Sequence, residues 1–141
     1  MTNWKKLWWK KNFLTSASHF RINKLRKYLR EEQHEYNNSD QIQRSATSIG
    51  ANYSEACDAE SKADFIHKLG IAQKEANETI YWLKVLYGSE LITQTQYDDL
   101  LNDARELYRI IAASLKTLKM GNDKWPITNL KSPIFVFRLK I

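Results

Sequence analysis

The residues best suited to chemistry cluster at the start of this chain. Trp4-Lys-Lys-Leu-Trp-Trp-Lys-Lys11 is followed by Arg21, Lys24, Arg26, Lys27 and Arg30. Lysine and arginine neutralise phosphates and gain from counterion release, while aromatic rings stack on unpaired bases. Three readings therefore stand for Lys5, Lys6, Lys10, Lys11, Arg21, Lys24, Arg26, Lys27 and Arg30. They bind RNA or DNA; they form a solvated or subunit-packing face; or they sit on an anionic membrane with Trp among the headgroups.

The formal net charge of +6 hides how local this basicity is. Residues 1–30 hold nine Lys or Arg and no Asp or Glu, whereas residues 31–120 hold nine basic and fifteen acidic residues. A tail of four basic residues and one acidic residue follows after position 120. A patch of one sign attracts polyanions, and a balanced middle does not.

Other reactive side chains lack a setting. Glu31-x-x-His34 and Asp64-x-x-His67 place a carboxylate and an imidazole three residues apart, as carboxylate-bridged di-iron bundles do. Both pairs fall near helix ends, and Asp64 has a capping role, so a solvated surface is the reading and no metal is expected. Cys57 stands alone near a predicted helix C-terminus, where the helix dipole disfavours a thiolate. The four glycines form no phosphate loop. No catalytic residues and no cofactor follow from these patterns.

The elements that must position the basic cluster are helical. Both prolines lie after residue 125, and 141 residues suffice for one domain with a core. The first helix is predicted from near Trp4 to Glu35, with Phe13, Ala17 and Phe20, then Ile22, Leu25 and Leu29, on its apolar stripe. Asn37 to Asp40 then form a turn rich in N-cap residues.

The second helix carries Ile42, Ala46, Ile49, Tyr53 and Ala56, with Gly50 permitting close approach of a neighbour. Ser61-Lys-Ala-Asp64 resembles a capping box for the third helix. Its stripe is Phe65, Leu69, Ala72, Ala76, Ile80, Leu83 and Tyr87, with Gly88 as a left-handed cap. Thr93-Gln-Thr-Gln96 starts a fourth helix that stops at Gly121.

Short links between such helices define an all-α, antiparallel up-down-up-down four-helix bundle over residues 1–120. Residues 1–12 extend its first helix as a basic, Trp- and Lys-rich segment. Residues 121–141 form a short irregular C-terminal tail whose Ile134–Ile141 run is β-prone. Ile71, Trp82 and Val85 lie away from the third helix's core stripe; they are either scattered surface apolarity or, the reading favoured, a subunit contact. No apolar run reaches membrane-span length, and the start lacks a signal-peptide pattern. The cytoplasm is the expected compartment, consistent with a single cysteine.

Gln41-Ile-Gln-Arg44-Ser-Ala-Thr-Ser-Ile-Gly-Ala-Asn52, Ser54-Glu-Ala56 and Ser61-Lys-Ala-Asp-Phe65 closely resemble the family of 23S rRNA-intervening-sequence proteins. Ala72, Lys74-Glu-Ala76, Glu78-Thr79 and Tyr81-Trp82-Leu83 continue the resemblance, which runs from about Phe13 to Leu118. The accessory protein of diversity-generating retroelements is a more distant likeness. The resemblance implies a four-helix bundle assembled as a homopentamer, with a link to RNA or nucleic-acid–protein complexes and no agreed catalytic residues. It places Arg44 and Asn52 in the family motif, where they line a subunit contact or the ring interior, and where Arg44 either contacts phosphate or serves a structural hydrogen bond. Residues 1–12 and the tail fall outside it.

The resulting expectation is a non-enzymatic, oligomeric bundle that binds nucleic acid without sequence preference through its basic N-terminal segment. The alternative is a protein-interaction module that docks on a nucleic-acid-processing partner. A membrane-surface role ranks third.

Overall fold

The computed structural model describes residues 19–120. Four helices occur among them: α1 over residues 19–31, α2 over Asn37–Cys57, α3 over Lys62–Gly88 and α4 over Gln94–Met120. Short turns join them, and α3 packs against both α2 and α4. Side chains of α1 reach α2 on one flank and α4 on the other. This is the expected antiparallel bundle. The basic extension at residues 1–12, with Lys5, Lys6, Lys10 and Lys11, and the tail at 121–141 lie outside the described residues.

The buried positions follow a coiled-coil period. In α3 they are Phe65, Leu69, Ala72, Ala76, Thr79, Leu83 and Leu86, a strict alternation of four- and three-residue steps. Ile42, Ser45, Ile49 and Ala56 keep the same phase in α2, as do Leu100, Ala104, Leu107, Ile111, Ser114 and Leu118 in α4. A repeat of 3.5 residues per turn holds one seam toward the neighbours only if the helices coil gently around each other.

This corrects the predicted stripe of α3. A 3.6-residue period drifts onto Ile80 and Tyr87, whereas the 3.5 period buries Thr79 and Leu86. Ile80 packs at the rim, and Tyr87 is exposed, stacked on Tyr97 with ring centroids 4.5 Å apart.

The core falls into two halves. Ile22, Leu25, Leu29, Ile42, Leu83, Leu86 and the first turns of α4 fill the end near the α1–α2 turn. Phe65, Leu69, Ile49, Ile111, Leu115 and Leu118 are among the residues filling the other. Each fully buried Leu or Ile contributes about 1.5–3 kcal/mol, so these layers dominate the stability. Between them Ser45 and Thr79 are buried with their hydroxyl oxygens 3.0 Å apart. Each hydroxyl also lies near a carbonyl of its own helix, Ile42 at 3.2 Å and Glu75 at 2.9 Å.

The helix ends match the sequence where capping is local. Thr93 and Gln96 form the full reciprocal box: the Gln96 N–H donates to Thr93 Oγ1 at 3.2 Å, and the Thr93 N–H donates to Gln96 Oε1 at 2.8 Å. The Asp64 N–H donates to Ser61 Oγ at 3.1 Å.

Four other expectations are corrected. α1 ends at residue 31, because His34 turns left-handed at φ 52° and reverses the chain. Asn37 to Asp40 consequently form the first turn of α2. Tyr36 precedes that helix without a side-chain cap, and Glu35 instead accepts the Asn38 N–H at 2.9 Å.

Gly88 remains helical, and the left-handed residue is Glu90 at φ 59°. The Leu91 N–H donates to Leu86 O and the Glu90 N–H to Tyr87 O, both at 3.0 Å, closing a Schellman motif. Leu91 packs against the core at this point, which holds Glu90 in place. Gly50 serves no close approach among the described residues, since a Cβ built there meets nothing within 4 Å.

Candidate nucleic-acid interface

The four faces of α1 carry different residues, and this sorts the basic cluster. Ile22, Leu25 and Leu29 point inward. Asn23, Arg26 and Arg30 flank α2, where Gln43 Nε2 donates to Asn23 Oδ1 at 2.7 Å. Arg21 flanks α4. Phe20, Lys24, Lys27 and Glu31, at steps of four, three and four residues, share the exposed outer face.

The arginines on the flanks are matched within the chain. Arg21 pairs with Asp103, and with Asp99 at 3.6 Å. Arg26 and Arg30 converge on Asp40 Oδ1 at 3.0 and 2.9 Å. The hydrogen bond from Arg26, supported by the charge of Arg30, holds the Asp40 carboxyl below the usual carboxylate range. Arg30 also lies over the Tyr36 ring at 4.8 Å from its centroid.

The outer face is different. Lys24 has no ion-pair partner among the described residues. Lys27 reaches Glu31 only at 4.0 Å, with most of its side chain in water. Phe20 is 64% exposed. This corrects its placement on the apolar stripe. The helical phase that buries Ile22 and Leu25 turns position 20 to the opposite side.

A second surface spans the outer edge of α2 and α3. Arg44 donates to Glu78 Oε1 at 2.8 Å and to Gln41 Oε1 at 3.2 Å. The indole N–H of Trp82 donates to the same Glu78 oxygen at 3.2 Å. Tyr81, largely exposed, meets Trp82 edge-on at 5.0 Å. Trp82, Ile71 and Val85 are each half-buried, and Trp82 rests on the rim of the core.

Glu75 lies beside this cluster. Burial, and next the charge of Glu78, push its carboxyl pKa up, while Arg44 opposes them. One Glu75 oxygen is buried with no hydrogen-bond partner. Arg44 is thus held by its own chain.

The remaining candidates are not brought together. His34 lies past the end of α1, so Glu31 and His34 share no helical face. Asp64 is part of the α3 cap. No three His, Cys, Asp or Glu side chains converge as a metal site among the described residues. Burial, and next Asp58, push the Cys57 thiol up, away from a reactive thiolate.

Sequence reasoning missed Phe20 and the carboxylates Asp40, Asp99 and Asp103. The first was detectable from its spacing to Lys24 and Lys27. The carboxylates were not, because their pairing depends on which helices become neighbours.

An all-α up-down bundle with coiled-coil seams and a motif of small and polar residues on α2 defines a narrow class. Residues 8–113 match the model of the 23S rRNA-intervening sequence protein family, and the chain belongs to that family. A crystal structure from Bacteroides thetaiotaomicron, described as a protein of unknown function from the S23 ribosomal protein family, has the same fold. It is 49% identical, with a TM-score of 0.73, over 74% of this chain and 96% of that one. No curated protein matches the chain.

Proposed function

We propose that this chain is a non-enzymatic, oligomeric bundle that binds nucleic acid electrostatically and without base reading. The observation that carries this reading is the segregation of charge: nine basic and no acidic residues in 1–30, with Lys24 and Lys27 on the outer face of α1. Lys5, Lys6, Lys10 and Lys11 extend the same charge in sequence. Assembly, as a pentamer by family resemblance, repeats the segment in each subunit and raises avidity for a long polyanion. Ile71, Trp82 and Val85 serve that assembly.

Arg21, Arg26, Arg30 and Arg44 are secondary contributors, because a phosphate must compete with a carboxylate already in place. Exposed pairs are worth about 0–1 kcal/mol, so a strong polyanion field can displace them.

Anisotropy titration of labelled RNA and DNA at rising salt tests the proposal. Affinity should fall steeply with salt, and replacing Lys5, Lys6, Lys10 and Lys11 by Ala should flatten the slope. Equal RNA affinity in that quadruple variant sinks the reading.

The exposed Tyr81 beside Trp82 supports a second reading, a module that docks on a nucleic-acid-processing protein. Removing residues 1–12 separates the two. It should abolish RNA binding under the first and spare partner binding under the second.

A further inference from the structure

We infer that the outer face of α1 is a single-strand platform, on which Phe20 stacks an unpaired base while Lys24 and Lys27 hold the flanking phosphates. The inference rests on the nucleic-acid reading above and specifies its ligand. Three observations meet at this face. Phe20 is 64% exposed, the highest value among the large exposed apolar side chains of the described residues. Lys24 and Lys27 follow it on the same stripe, displaced along the axis by about 6 and about 10 Å at 1.5 Å per residue. Neither ammonium is firmly held: Lys24 has no ion-pair partner among the described residues, and Lys27 has one long, solvated pair.

The geometry selects the strand type. A ring on a helix surface can stack only on a base whose face is free, and a duplex exposes one only after unstacking, at a cost of a few kcal/mol. Lysines alone would bind either form through phosphates. Phe20 therefore adds affinity for single strands and nothing for a duplex. A membrane fits this face less well, because Phe20 is followed on the stripe by Lys24, Lys27 and Glu31, whereas Ile22, Leu25 and Leu29 point into the core. Interfacial helices need a continuous apolar face.

The test compares full-length wild type, Phe20→Leu and Phe20→Trp on labelled oligo(U) and on an RNA hairpin of equal length whose nucleotides are all paired, its strands joined by a non-nucleotide linker. Phe20→Leu should bind oligo(U) roughly tenfold more weakly, Phe20→Trp should retain affinity, and hairpin binding should stay the same. The salt dependence should not change in either variant, because no charge is removed.

Wild-type binding to oligo(U) with no loss in Phe20→Leu overturns the platform and leaves the electrostatic reading intact. An equal loss on the hairpin also overturns it. Wild type that binds neither probe at low salt rejects the underlying reading as well. Two further results would overturn the platform by giving the ring a different role. A changed oligomeric mass in Phe20→Leu would assign it to a subunit contact. Phe20-dependent flotation with phosphatidylserine vesicles, combined with unchanged oligo(U) affinity, would assign it to a membrane.

Discussion

The outer face of α1 and the outer edge of α2–α3 both join aromatic rings to basic side chains, yet they are wired differently. On α2–α3, Arg44 and the Trp82 indole both donate to one Glu78 oxygen, so both donors find a partner inside the chain. On α1, Lys24 and Lys27 extend into water beside a largely exposed Phe20. The same residue types thus brace one surface and stay largely solvated on the other. Counting basic residues along a sequence does not separate these cases; finding their carboxylates does.

Four perturbations test that contrast. Trp82→Ala removes a half-buried ring from the bracing surface and should cost about 2 kcal/mol of stability, read as a lower thermal midpoint. Its RNA affinity, measured well below that midpoint, should match wild type if the subunits remain assembled. Reversing both outer-face lysines, Lys24→Glu with Lys27→Glu, should do the opposite. RNA binding should weaken by at least about tenfold, or 1.4 kcal/mol, with the thermal midpoint little changed.

Asp40→Asn converts a matched rim into a free one by releasing Arg26 and Arg30. A gain in RNA affinity of about two- to threefold at low salt should follow, with a steeper salt slope. No change would mean that the flanking arginines never reach the ligand.

The smallest effect is at Glu75. Its carboxyl pKa is raised in the fold from an ordinary 4.5, so the ionised form is the disfavoured one. That penalty is complete above the folded pKa and vanishes below 4.5, so it is relieved as pH falls through this interval. Glu75→Gln should be slightly more stable than wild type near neutrality. The wild-type rise contributed by this group should be missing from the variant's profile of stability against pH.

Local features could be read from the sequence. The Thr93–Gln96 box and the Ser61 cap depend on residues three apart, and both formed. The bundle itself followed from long apolar periodicities and short polar links. An isolated, straight α3 would present Ile80 and Tyr87 in place of Thr79 and Leu86, but coiling against neighbours sets the phase. Gly88 is the residue best suited to a left-handed turn, yet the chain bends two residues later, at Glu90, where Leu91 finds its place in the core. Extending the apolar steps of Phe13 and Ala17 carries Phe20 into a region where the stripe belongs to Ile22 and Leu25. The ion pairs of Arg21, Arg26 and Arg30 could not be read at all without the helix neighbours.

The buried Ser45–Thr79 pair has a consequence for folding fidelity. A heptad bundle is nearly degenerate, since sliding α2 along α3 by seven residues returns apolar side chains to comparable holes. Such a slip sets Thr79 against Asn52 or Asn38, and Ser45 against Ala72 or Leu86, so the two hydroxyls never meet. A contact worth about 1 kcal/mol then acts as an index mark, favouring one alignment among several that hydrophobicity alone would leave close in energy.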